Sequence, residues 1–376
     1  MNSKKIKIMV LSHAFVKKIN LSFFEALSKK KKYSVTCVCP NKIFINRLKI
    51  ISDFKFYKGN LKILKLNLIF KHSRLFFFQN LKKYIKKEKP NYILVDNDPA
   101  SFQSLFVIFY SFFFNYKLIY FVNENQLIKI FHKNFIKNIL KLIFVMSFNF
   151  IFKSKIYKIF CYSNQIKKNF EILGYKKKSY VMPLGYDEKV FNMKNRRKKK
   201  KLVISYFGRI TREKGIHVIL KSLKNFKYKN WIFILDTDYI EDREYYNSII
   251  KYLKLNFNKK NYSLIKTDHY KIANYMRYSD IVILPSLHEE QYGRVIQESV
   301  ACGSVAIASN IGALPEIIKD KDLLFNPNDH VKLKNIIIKL TSRKYLNKKF
   351  AKLYKNILSQ RTITKQINVF EKSLNY

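Results

Sequence analysis

Glycine, proline and acidic residues are all scarce in this chain of 376 residues, and each scarcity excludes something. With 8 Gly and 7 Pro, a collagen-like or Gly/Pro-rich low-complexity chain is ruled out. The four cysteines, Cys37, Cys39, Cys161 and Cys302, have no metal-ligand spacing and are too few for a disulfide scaffold. They read as packing residues of a reducing compartment. Long apolar runs are also missing. The longest, residues 104–114 and 142–152, fall short of the ~20 residues that span a bilayer. Both are read as buried helices, with shallow insertion into one leaflet as the alternative. The opening segment IKIMVLS is short and β-branched, so it reads as a strand and no secretory signal is expected.

Lysine and aromatic residues stand in abundance. Against 25 Asp+Glu there are 74 Lys+Arg, a formal charge of +49. Such a charge suits a polyanion, either nucleic acid or an anionic membrane. A/T-rich coding would also give it, since Lys, Asn, Ile, Phe and Tyr are all common. We assign the larger part of the surplus to coding, which sister proteins of the same genome with neutral partners should then share. Segments such as FFEALSKKKK and NLKKYIKKEK suit helices lying on anionic lipid, and equally suit solvated faces of ordinary helices.

The length and the 48% apolar content predict two globular domains. Strands are expected at Ile6–Ser12, Tyr33–Cys39, Tyr92–Val95, Lys117–Val122, Ile156–Tyr162 and Tyr180–Met182, with helical segments between. That alternation is the mark of a doubly wound α/β sheet. Polar clusters follow several strands, as at Asp96-Asn97-Asp98 and Asn123-Glu124-Asn125, where open α/β sheets place ligands. After the charged run NRRKKKK the pattern restarts at Leu202–Phe207, Trp231–Leu235, Tyr262–Ile265, Ile281–Leu284 and Val305–Ser309. The expected division is therefore residues 1–194, a basic linker at 195–201, a second domain at 202–355, and a C-terminal helix at 356–376 that crosses back to the first domain.

Two segments carry chemistry. In PSLHEEQYGRVIQESVACG, Glu290 lies in a loop and Glu298 eight residues later in a helix opened by Gly293. A helix N-terminus attracts phosphate, and carboxylates accept hydrogen bonds from hydroxyls. A ligand with phosphates and hydroxyls fits both. Glu298 also stands at i+4 from Arg294, which alone would make it a solvated ion pair. A glycosidase-like carboxylate pair ranks lower, because no further acidic cluster supplies sugar subsites. In FGRITREKG, Gly208 allows close backbone approach, Arg209 offers a planar fork for phosphate oxygens, Lys214 adds a point charge, and Gly215 sits where a helix begins. Asp236-Thr237-Asp238 has the spacing of a metal-binding pair but reads as a surface turn.

Taken together, PSLHEEQYGRVIQESVACG with its E-x7-E spacing, the tail Gly312, Pro315 and Glu316, the pattern Gly208, Arg209, Glu213, Lys214 and Gly215, and the segment Pro183-Leu184-Gly185-Tyr186-Asp187 with Phe191 resemble the retaining GT-B glycosyltransferases of family 4. The resemblance covers most of the second half and the hinge. It implies an α/β GT-B fold of two Rossmann-like doubly wound domains facing a cleft. It implies an N-terminal acceptor domain and a C-terminal donor domain. By similarity, Arg209 and Lys214 hold the donor diphosphate, joined by backbone groups of Tyr292, Gly293 and Arg294. Glu290 contacts the sugar in a catalytic position, and Glu298 binds the ribose. No cofactor or metal is implied; a UDP- or GDP-linked sugar is substrate. The chain departs from the family at its first loop, where Ser12-His13-Ala14 replaces glycines. It departs again at Asn123, which takes the place of a His and is assigned a catalytic position. His13 and Asn125 are assigned to the acceptor side.

The function expected from the resemblance is transfer of a sugar to a glycan or lipid-linked acceptor in cell-envelope polysaccharide assembly. The expected place is the cytoplasm, peripheral on the inner face of the membrane. A sugar-nucleotide hydrolase or phosphorylase on the same fold is the alternative. A nucleic-acid-binding protein has only the charge in its favour, since no helix-turn-helix, zinc-finger or RNP-type motif supports it.

Overall fold

A computed structural model describes residues 5–45, 48–51, 61–69, 76–97, 99, 101–122, 147, 153–196, 200–267 and 271–374. The chain divides into two compact units. One holds Met1–Pro183 and Gln366–Tyr376, the other Leu184–Lys365. The division falls at Pro183 and not in the charged run 195–201. Arg196, from that run, donates to the carbonyls of Arg277 and Cys302 and lies 3.8 Å from Asp280. Its guanidinium is thus built into the second unit.

The first unit is an α/β sheet of seven strands: β1 (Ile6–Leu11), β2 (Tyr33–Pro40), β3 (Lys62–Leu66), β4 (Tyr92–Asp96), β5 (Lys117–Val122), β6 (Ile156–Cys161) and β7 (Ser179–Val181). Their order across the sheet is β7-β6-β5-β4-β1-β2-β3, all parallel. Parallel strands are covered on both faces and so read as continuous apolar runs. Accordingly Cys37, Val38 and Cys39 are all fully buried, as packing residues should be. β3 has the least apolar sequence and lies at the edge, exposed at its start; its lysines hide it from a periodicity reading.

The second unit repeats the plan with six strands: β8 (Leu202–Tyr206), β9 (Trp231–Asp236), β10 (Tyr262–Ile265), β11 (Ile281–Leu284), β12 (Val305–Ser309) and β13 (Leu324–Phe325). Their order is β10-β9-β8-β11-β12-β13, again all parallel. Counted within the unit, this is 3-2-1-4-5-6, the dinucleotide-fold order. Its crevice opens where the winding reverses, between the first and fourth strands. Here that point lies between β8 and β11, paired through Ile204↔Ile281 and Ser205↔Val282. In the first unit the same reversal lies between β1 and β4.

Three helices close the chain: His330–Leu340, Arg343–Gln360 and Ile363–Leu374. The last begins in the second unit, and from Gln366 on it belongs to the first. Phe370 packs against Phe23, Phe121 and Phe160 there. The apolar run 104–114 forms the helix Phe102–Tyr110 and a turn. It is only partly buried, because Phe109, Phe112 and Phe113 are exposed. The run 142–152 lies outside the described residues except Ser147.

Candidate functional site

In the second unit, the loops following β8 and β11 meet at the reversal point. The loop 207–215 ends in a short helical turn, Arg212–Lys214, and Gly215 at φ +67°. Gly215 then caps the helix Ile216–Leu223. A Cβ at Gly215 would lie 2.1 Å from the Pro285 carbonyl oxygen. Only glycine accommodates both that approach and the left-handed backbone. The Leu287 amide donates to the Glu213 carbonyl at 2.8 Å, which ties the two loops together.

Glu290 is the centre of this meeting. Its carboxylate accepts from the Ser286 hydroxyl and the Lys214 ammonium. Its carbonyl accepts from the Ala313 amide at 2.9 Å. Gly312, at φ +60°, lies so close to Glu290 that a Cβ would stand 2.5 Å from the same carbonyl oxygen. Thus the loops after β8, β11 and β12 all converge on one residue. Its side chain remains 13% exposed and that of Lys214 18%, so a ligand can reach both.

The helix Arg294–Ala301 starts immediately after, capped by Gly293. Glu298 is buried within it and pairs with Arg294, Nε to Oε1, at 3.5 Å. The i, i+4 pair therefore forms, but in a buried place and not on a solvated face. Tyr292 points its side chain inward. Its hydroxyl donates to the Leu184 carbonyl at 2.6 Å and lies 2.9 Å from Gln297 Oε1, and it accepts from Arg361 at 2.9 Å. Burial pushes that phenol up to about 12. The Tyr292 side chain is a strut, which leaves only its backbone for any ligand.

Arg209 is not drawn to Glu290. Its guanidinium reaches Glu241 at 2.6 Å and is half exposed. Beneath it, the Tyr206 hydroxyl donates to the Arg209 carbonyl at 2.7 Å. Burial, and then the Glu290 charge, raise the Tyr206 phenol well above its usual range. The structure therefore joins Lys214 with Glu290 and Arg294 with Glu298, and gives Arg209 a partner of its own. Asp236 is buried, not a surface-turn residue; it accepts the Asp238 amide at 3.1 Å, and burial raises it to about 6.

The reversal point of the first unit is also polar. Ser12, at the end of β1, donates to Asp96 at 2.7 Å, and Tyr162 lies 3.5 Å from the same carboxylate. Burial raises Asp96 against the pull of Ser12 and His13. His13 is held against Phe76, with ring centroids 5.2 Å apart. Burial lowers its imidazole, opposed by Asp96, and its Nδ1 is buried without a hydrogen-bond partner among the described residues. Asn123 and Asn125 lie outside the described residues.

Sequence reasoning missed Ser286, Glu241, Tyr206 and the Ser12–Asp96 pair. Ser286 stands four residues before Glu290 in the same tight loop, so spacing could have found it. Glu241 is 32 residues from Arg209, and nothing local links them.

Residues 187–357 match the family model described as glycosyl transferases group 1. An uncharacterized glycosyltransferase of Methanocaldococcus jannaschii is 27% identical over 146 residues, 38% of this chain and 39% of that protein. The serotype-specific mannosyltransferase WbdA of Escherichia coli is 37% identical over 59 residues, 16% of this chain and 7% of that protein. The chain thus spans well under half the length of these curated relatives. Sucrose-phosphate synthase from Thermosynechococcus elongatus has a TM-score of 0.74 at 16% identity, covering 98% of this chain and 99% of that one. Anabaena HepE, solved in complex with UDP and glucose, has a TM-score of 0.71 at 15% identity, with 98% and 99% covered. Two Rossmann-like sheets with matching fold lead to one conclusion: the fold is GT-B, and residues 187–357, which hold the Glu290 and Lys214 loops, match the glycosyl transferases group 1 model.

Proposed function

We propose that the protein is a retaining glycosyltransferase that moves a sugar from a nucleoside-diphosphate donor to a glycan or lipid-linked acceptor in cell-envelope polysaccharide assembly. The observation that carries the reading is the Lys214–Glu290 pair at the reversal point of the second sheet, reached by three loops. Glu290 accepts from hydroxyls of the donor sugar. Lys214 and Arg209 face the diphosphate, together with backbone N–H groups at Gly293 and Arg294. Glu298 accepts from the ribose. Arg209 exchanges Glu241 for phosphate oxygens, which its exposure allows.

In the reaction, the bond from the anomeric carbon to the diphosphate oxygen breaks. The acceptor oxygen bonds to that carbon on the face the diphosphate leaves. The acceptor proton passes to the departing phosphate. Fixed cations that stabilise charge as it develops on the leaving group are the main source of acceleration, so the enzyme is metal-independent and has no resident cofactor. UDP and UDP-glucose bound in HepE and the mannosyltransferase WbdA favour a UDP- or GDP-linked hexose.

A panel of UDP- and GDP-sugars, screened by thermal shift and then by product analysis with acceptor and chelator, tests the reading. The true donor should raise the melting temperature by mass action. Glu290→Ala and Lys214→Ala should each lower turnover by about 10²–10³, the usual effect of removing one such group. Wild-type turnover in both variants would remove the site from consideration.

A further inference from the structure

Three aromatic side chains at the end of one helix in the first unit stand largely exposed. Phe109, Phe112 and Phe113 are 55%, 55% and 64% exposed, and they are the only exposed phenylalanines among the described residues. The chain holds 33 phenylalanines, so three exposed within five residues is a local feature. It cannot be put down to composition. Phe109 and Phe113 pack edge to face, with centroids 5.2 Å apart. Lys155 Nζ sits 4.2 Å over the Phe112 ring.

Beside them opens a cavity of about 510 Å³. Its lining includes Lys117, Lys155, Lys158, Lys177 and Lys178, together with Tyr116, Tyr157 and Tyr180, and, among the described residues, no carboxylate. Two of these lysines are already engaged. Lys178 donates to the carbonyls of Lys153 and Ile156, and Lys158 to that of Ser373. Lys117 and Lys155 lie over aromatic rings. Cations gathered next to exposed aromatic rings match an interface with anionic headgroups outside and acyl chains within.

We propose that this edge of the first unit docks on an anionic lipid bilayer: Phe109, Phe112 and Phe113 enter the headgroup–acyl boundary, while Lys117, Lys155 and Lys177 meet lipid phosphates. Among the described residues no helix is long and apolar enough to cross a membrane, so the contact lies on the surface. Lys117 and Ile156 begin β5 and β6, whereas Asp96 and Ser12 stand at the opposite, carboxyl edge of the same sheet. Strands of six residues separate these edges by about 20 Å. Lipid docking therefore leaves the polar cluster of the first unit free.

The test is flotation of the full-length protein with vesicles of phosphatidylcholine alone or with one-third phosphatidylglycerol. Binding should require the anionic lipid. Both Phe109→Ser/Phe112→Ser/Phe113→Ser and Lys155→Glu/Lys177→Glu should weaken it about tenfold or more. Lys251→Glu/Lys254→Glu, on an exposed helix face of the second unit, changes net charge as much and should leave binding intact. In Phe112→Trp, vesicles should shift the emission of the new indole to the blue, against the constant background of buried Trp231. Equal loss in the Lys251/Lys254 control would reduce the effect to overall charge and overturn the proposal. So would retention on RNA without vesicle binding, or floated Phe112→Trp protein in which the introduced indole keeps its original emission. None of these readouts depends on sugar transfer, and donor-induced thermal shifts should be the same in all variants.

Discussion

Replacing Gly215 with Ala tests the meeting of the two loops directly. The new Cβ would stand 2.1 Å from the Pro285 carbonyl oxygen, where side chains require at least 3.0 Å. One loop must therefore retreat by about 0.9 Å. Backbone strain adds to this, since Gly215 has φ +67° and a left-handed residue with a Cβ costs about 1–2 kcal/mol. Lys214 precedes the change, and Ser286, which holds Glu290, follows Pro285. The retreat thus separates the two charged groups proposed to face the donor. A misplacement of roughly 1 Å can cost about 10²-fold in rate. We expect kcat/KM with the cognate donor to fall about 10²-fold, with a stability loss of about 1–2 kcal/mol by calorimetry. Gly174→Ala is the matched control. Its φ is +86°, but the Cβ would meet only the flexible end of Lys153 at 2.7 Å. It should show the stability loss and normal kinetics. Wild-type kinetics in Gly215→Ala would refute the claim that this close approach sets the site.

Two further expectations concern buried charge in the second unit. Lys349 is buried between Asp320 at 3.0 Å and Asp322 at 2.6 Å. Lys349→Ala leaves buried Asp320 with the Asp322 amide at 3.1 Å and, among the described residues, the exposed Lys352 at 3.4 Å as its remaining cation, so about 2–3 kcal/mol should be lost, read as a lower melting temperature of the purified protein. Asp236 is raised from 3.8 to about 6 by burial, so the folded state favours its neutral form. The resulting penalty is absent below the unfolded value and grows as pH rises through the window from about 4 to about 6. The melting temperature of Asp236→Asn, relative to wild type, should therefore be higher at pH 7 than at pH 4 by about 6–12 °C, since a rise from 3.8 to about 6 is about 3 kcal/mol and each kcal/mol shifts a unit of this size by about 2–4 °C. A difference that does not vary with pH would contradict the burial argument.

Much of the architecture is legible because buried parallel strands are continuous apolar runs. Lys117–Val122, Ile281–Leu284 and Val305–Ser309 have the predicted bounds, and so does the edge strand Tyr262–Ile265, which is only partly buried. β3 and β13 escape because one is lysine-rich and the other has two residues. The boundary at residues 195–201 misleads for a different reason. A run of charges looks solvated, yet Arg196 satisfies the ends of buried segments. The apolar run at 104–114 reads as buried, but apolarity alone does not say which rings have neighbours.

The amino-acid sequence by itself determined the strand–helix alternation, the spacing of Glu290 and Glu298, and glycines at the starts of two helices, because these depend on residues close along the chain. Only the tertiary structure decided that Lys214 meets Glu290 while Arg209 turns to Glu241, and that Asp96 answers Ser12. Those pairings follow from sheet order, which brings the ends of non-consecutive strands side by side. Local propensity has no access to that order, since it is set by how whole strands and helices bury their apolar faces together.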